Sequence, residues 1–168
     1  MRCAYALDFT CDVPLDRDPD PEQCAGTSKY DFIEGTGGND NIDAGAGSDE
    51  VFGNGGEDEI HGRSGNDRLE GGFQSDIIFG ESGADYLTGL GGSNQYFGGP
   101  GPDTIFADQF DFSADNSVET VSGGPGDDLI IADDIIPHQD VIDCGSGFDL
   151  VNAGPEDEVN LDKCEDIF

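Results

Sequence analysis

The chain has 168 residues, 38 acidic against only 6 basic, and a formal charge of −32 at pH 7. That balance excludes nucleic-acid binding, which needs basic patches against phosphate, and it excludes an anionic membrane unless a divalent cation bridges the two. With 35% hydrophobic residues and 27 glycines any core is thin, and no run approaches the roughly 20 apolar residues of a membrane-crossing helix. The length suits one domain. Such a charge resists collapse without counterions, as in disordered chains.

Residues 1–25 form an N-terminal, Cys-rich cap and linker. Leu7-Asp8-Phe9-Thr10 suits a strand. Asp16 to Glu22 is acidic and carries Pro19 and Pro21, so it does not form a helix; it lacks the Gly and terminal Glu of a calcium-binding helix-loop-helix. Cys3, Cys11 and Cys24 cluster here, three of five cysteines in the chain. Cys24 falls on the core place of a notional preceding half-turn. A disulfide among these three would tether the cap, and the sequence leaves open which two pair. Cysteines in an acidic, glycine-rich chain point to an oxidising compartment. Met1 to Tyr5 shows no charged stretch followed by an apolar one, so no signal peptide is visible, leaving open that Met1 replaces a removed signal.

Residues 26–106 repeat a nine-residue unit without a slip. The first full copy is Gly35-Thr36-Gly37-Gly38-Asn39-Asp40-Asn41-Ile42-Asp43. The sixth place holds Asp31, Asp40, Asp49, Asp58, Asp67, Asp76, Asp85, Asn94 and Asp103. Two residues on stand Ile33, Ile42, Val51, Ile60, Leu69, Ile78, Leu87, Tyr96 and Ile105. The pattern is G-G-x-G-x-D-x-U-x, with U large and apolar. Glycine at places one, two and four permits left-handed backbone and close approach of carbonyls. The x-U-x triplet is a short strand with U inward and its neighbours outward.

Each unit is then half a turn of a flat coil, and consecutive bends fall on opposite edges. One edge carries Asp31, Asp49, Asp67, Asp85 and Asp103; the other carries Asp40, Asp58, Asp76 and Asn94. Bends on one edge stack at about 4.8 Å. Carboxylates in such a file repel unless a cation lies between them. Calcium takes six to eight oxygens from carboxylates and carbonyls, whereas magnesium demands tight octahedral geometry. Counting gaps between bends gives about seven calcium sites in this block.

The stretch resembles the RTX family of calcium-binding β-rolls found in secreted bacterial toxins, metalloproteases and lipases. The resemblance implies an all-β, right-handed parallel β-roll, a solenoid with calcium between stacked bends, and sixth-place Asp residues as side-chain ligands. It implies no particular activity. Gln74 replaces a fourth-place Gly and Asn94 a sixth-place Asp, which departs from the family pattern at those bends. The unit from Gly26 to Asp31 looks like an end turn.

From Gly71 onward the outward places turn apolar, with Ile77, Phe79, Tyr86, Phe97 and Phe106. Phe79 and Phe97 stand 18 residues apart and so stack one coil apart. Residues 107–122 break the register as an insertion whose Phe110 and Phe112 could fold back over this patch. The alternative is a protein or glycan partner, or self-association, at the Phe79/Phe97 face.

Residues 123–168 continue the roll in degenerate form and close with a C-terminal cap. A half-turn over Asn116 to Ser122 carries Glu119 and Val121. Gly123 to Ile131 is a strong copy with Asp128, residues 132–134 are extra, and Asp140 with Ile142 marks the next unit. Cys144 to Asn152 follows with Asp149, then a short copy with Asp157 and Val159, then Cys164 to Ile167. Asp128, Asp140 and Asp149 join the candidate calcium ligands. The bends of Cys144 and Cys164 lie on one edge in adjacent coils, which predicts a disulfide between them.

No catalytic constellation is present. His61 and His138 are isolated, and there is neither H-E-x-x-H nor G-x-S-x-G. The expectation is a non-enzymatic, secreted calcium-binding roll, extracellular or at the cell surface, that folds on calcium and serves as a structural, adhesive or matrix module. The alternatives are the non-catalytic module of a larger secreted enzyme or toxin, and a calcium-dependent recognition protein.

Overall fold

A computed structural model describes residues 9–10, 23–107, 117–132, 139–155, 157–160, 164 and 166–167. Cys3, Cys11, Phe110, Phe112 and His138, on which several expectations fall, lie outside these residues.

The described residues are all strand and bend, without a helix. Alternate strands along the chain build two parallel sheets, one of nine strands and one of eight. Each strand pairs with the next but one, never with its immediate neighbour. The register follows the U ladder: Val51 opposite Leu69 and Leu69 opposite Leu87 in one sheet, Ile42 opposite Ile60 and Ile60 opposite Ile78 in the other. The chain is therefore a β-solenoid of stacked two-unit coils, as its period requires.

The core is a single file from each sheet. Ile33, Val51, Leu69, Leu87, Ile105, Ile130 and Val151 meet Ile42, Ile60, Ile78, Tyr96, Val121 and Ile142, all fully buried or nearly so. Cys24 is disulfide-bonded and packs against the start of this core. The solenoid absorbs its irregular segments without losing phase. Tyr96 pairs with Val121 and Ile105 with Ile130 across 25 residues, and Val121 with Ile142 and Ile130 with Val151 across 21. The roll resumes with Glu119 and the strand Thr120–Pro125, inside the segment read from sequence as an insertion. At the far end Cys144 and Cys164 form a disulfide with Cα atoms 5.4 Å apart, the pairing expected from their shared edge.

The outward rings divide between the sheets. Phe79 stacks on Phe97 at 4.9 Å between centroids, one coil apart. His61 stacks on the other side of Phe79 at 4.7 Å and bonds Glu81 and Glu59, each at 3.0 Å. His61 is thus not isolated, contrary to the sequence reading: it stands 18 residues before Phe79 at the same place of the repeat. Tyr86 and Phe106 lie on the other sheet, 5.2 Å apart. There Arg68 sits between the rings of Phe52 and Tyr86, 5.3 and 5.5 Å from their centroids.

Candidate metal centre

The sixth-place acids are nearly all inaccessible, with Asp49, Asp58, Asp67, Asp76, Asp85, Asp103 and Asp128 each at 3% exposure or less. They form two hydrogen-bonded files. On one edge the backbone N–H of Asp31 donates to Asp49 Oδ1, that of Asp49 to Asp67, and so on through Asp85, Asp103, Asp128 and Asp149, at 2.7–2.9 Å. On the other, Asp40 donates to Asp58, Asp58 to Asp76 and Asp76 to Asn94 Oδ1. After the irregular segment that file continues with Glu119 to Asp140 and Asp140 to Asp157. Every candidate Asp, with Asn94, therefore stands in one of two continuous ladders.

Glu119 was not counted among the candidates from sequence. Its signal was present, an acid two residues before Val121, but residues 108–116 hide the register. A second file was also missed. Fifth-place side chains accept the N–H of the fifth place one coil on: Asn39 from Glu57, Asn66 from Ala84, Ser75 from Ser93 and Asp127 from Phe148.

Oδ1 of each sixth-place acid is thus occupied. Oδ2 is not: in Asp49, Asp58, Asp67, Asp76, Asp85, Asp103, Asp128 and Asp140 it is buried and meets no hydrogen-bond donor. A buried carboxylate oxygen without a donor is costly. Burial pushes the carboxyls of Asp49, Asp58, Asp67, Asp85 and Asp128 up from the usual 3.8 to about 6, and those of Asp76 and Asp103 to about 7. The N–H from the preceding coil pulls each of them back down, and for all but Asp85 a neighbouring carboxylate raises it further.

The space beside each orphaned oxygen is kept open by glycine. A Cβ on Gly62 would lie 2.7 Å from Asp67 Oδ2 and 2.8 Å from the Gly80 carbonyl oxygen. One on Gly98 would lie 2.6 Å from Asp103 Oδ2 and 2.5 Å from the Gly123 carbonyl oxygen. Carboxylate and carbonyl oxygens from adjacent coils therefore converge on one place. Among the described residues no three His, Cys, Asp or Glu side chains cluster as a metal site. The donors are instead hard oxygens dispersed along the bends, the set that calcium accepts. A profile of the RTX calcium-binding nonapeptide repeat matches residues 25–60, 52–87, 70–105 and 113–134, together more than half of the chain.

The chain belongs to the RTX calcium-binding repeat family.

A comparison with curated proteins finds no match. RTX repeats are a structural calcium-binding module, and in this roll the orphaned oxygens and the glycine-lined space fit that ion. Calcium supplies positive charge between carboxylates that otherwise repel. The chain's own residues do the remainder: the Oδ1 ladder fixes each carboxylate's orientation, the glycines admit the carbonyls, and the U file sets the spacing between coils. Among the described residues no helix is long and apolar enough to cross a membrane.

Proposed function

We propose that this chain is a secreted, non-catalytic calcium roll that folds on meeting extracellular calcium and serves as a structural or adhesive module of a surface or matrix. One observation carries the reading: the folded shape buries a file of carboxylates, each with one oxygen that no protein donor meets. In a chain of net charge −32, that shape is costly until a cation enters, so binding and folding are coupled. The disulfide between Cys144 and Cys164 supports an oxidising, extracellular setting. The His61–Phe79–Phe97 file supports a structural role, since the rings turn their faces to one another.

Far-ultraviolet circular dichroism during calcium titration, with chelator reversal, tests this. A cooperative, reversible gain of strand signal is expected. A chain that keeps its strand signal in excess chelator would overturn coupled folding.

A further inference from the structure

The bends are of two kinds, and the second place of the repeat separates them. Before Asp49, Asp58, Asp67, Asp76, Asp85, Asp103 and Asp128 the second-place residue is left-handed: Gly45, Asn54, Arg63, Gly72, Glu81, Gly99 and Gly124 have φ between 68° and 110° or close to it. Each of these bends has an orphaned Oδ2. In the bends of Asp31, Asp40 and Asn94 the second place is Thr27, Thr36 or Leu90, and none of the three has positive φ.

The consequence is local and chemical. With an ordinary second place the peptide N–H turns onto the carboxylate. Thr27 donates from N and Oγ1 to Asp31 Oδ2 at 2.6 and 2.8 Å, and Thr36 to Asp40 Oδ2 at 2.7 and 3.1 Å. β-Branched Thr is a poor left-handed residue, so its identity fixes the outcome. In the third bend, Asn94 Nδ2 and the Tyr96 hydroxyl lie 2.6 and 2.7 Å from where a Cβ on Gly89 would stand. That is the place Asp Oδ2 takes elsewhere. Tyr96 is the largest residue in the U file and is fully buried; its hydroxyl reaches the Ala107 carbonyl at 3.4 Å. Leu90 N donates to Gly72 O at 2.8 Å. A neutral amide and a hydroxyl thus fill the bend.

We propose that the bends of Asp31, Asp40 and Asn94 are complete without metal, so that calcium loads only where the second place is left-handed. Two self-capped bends then close the start of the roll, and the Asn94 bend divides one edge into two calcium runs while the other edge stays continuous. This rests on the calcium reading above and departs from the uniform loading that the repeat alone predicts.

Equilibrium dialysis against calcium, with metal counting by plasma mass spectrometry, tests it on the full chain. Two matched isosteric pairs are compared, each with one change per edge. D31N/D40N is expected to keep the wild-type count, and D49N/D58N to lose about two ions. Equal losses in the two pairs would overturn the proposal for the first bends. N94D/Y96L restores the repeat and is expected to gain at least one ion; a folded variant with no gain overturns the proposal for that bend. If that variant does not fold in calcium, Asn94→Ser decides, since an unchanged count supports a metal-free bend and a lost ion refutes it. A wild-type chain that binds no calcium refutes the calcium reading itself, which is a separate result.

Discussion

The backbone N–H of Asp67 donates to Oδ1 of Asp85, 2.8 Å away and 18 residues along the chain. One coil thus orients the carboxylate of the next, and the same contact recurs down both edges. It leaves Asp85 Oδ2 aimed into the bend, where only a cation or a proton completes it.

Asp85→Ala and Asp85→Asn therefore separate two losses. Alanine removes the acceptor and leaves the Asp67 N–H buried without its partner, at about 1–3 kcal/mol. Asparagine keeps an acceptor for that N–H but removes the charge. Both variants are expected to bind less calcium, with alanine unfolding at the lower temperature in saturating calcium. Equal melting temperatures would show that the ladder bond contributes nothing of its own.

The raised carboxyls give a pH dependence of definite sign. In the metal-free fold, Asp49, Asp58, Asp67, Asp85 and Asp128 keep their protons up to about pH 6 and Asp76 and Asp103 up to about 7. The unfolded chain releases them near the ordinary aspartate value of about 3.9. Between those limits the native state binds more protons, so stability falls as pH rises. The penalty is absent at about pH 4 and below and complete above about pH 7. In chelator at low salt, the strand signal is expected to grow as pH is lowered from 8 to 5, while calcium affinity weakens over the same window. A strand signal flat across that range would contradict the assignment of these groups.

Much of this was legible because nine is half of eighteen. The period alone places Val51 over Leu69, assigns Asp31 and Asp40 to opposite edges, and brings Cys144 beside Cys164. The sign of φ at the second place was not legible in the same way. Asn54, Arg63 and Glu81 are left-handed there without being glycine, held by the stack rather than by their own preference. Thr36 and Leu90 occupy the same place and are not. Glu119 was obscured because the ladder spacing shifts from 18 to 25 residues across the irregular segment, as between Asp103 and Asp128. The His61 stack was readable from its spacing to Phe79 and was missed because histidine was weighed as a catalytic residue rather than as a ring.

Gly62→Ala tests the space beside the orphaned oxygen. The added methyl would meet Asp67 Oδ2 at 2.7 Å and the Gly80 carbonyl oxygen at 2.8 Å, both oxygens of the proposed cradle. Calcium affinity measured by isothermal titration is expected to fall at least tenfold, about 1.4 kcal/mol. Gly55→Ala is the control, because nothing lies within 4 Å of its added methyl. Equal effects of the two would remove the argument from the cradle.

The Cys144–Cys164 link closes a loop with a sequence separation of 20. Closing such a loop restricts the unfolded chain by about 3 kcal/mol. C144S/C164S is expected to lose roughly that much in urea unfolding with calcium present. The calcium count of the regular block should be unchanged, since its bends lie outside the loop. A variant as stable as the wild type would mean that the last coil is held by its backbone ladder alone.

The aromatic file predicts a variant that separates stability from metal. Phe79 is stacked on both sides, on His61 at 4.7 Å and Phe97 at 4.9 Å. Each such contact contributes about 0.5–1.5 kcal/mol beyond burial. Phe79 points out of the sheet while its neighbour Ile78 points in, so the ring touches no bend carboxylate. Phe79→Ala is therefore expected to cost about 2–3 kcal/mol in calcium-saturated urea unfolding without changing the number of ions bound. Loss of ions would couple the outer face to the bends through the sheet. Unchanged stability would show instead that the rings contribute little to the roll and would reopen the face to a binding role.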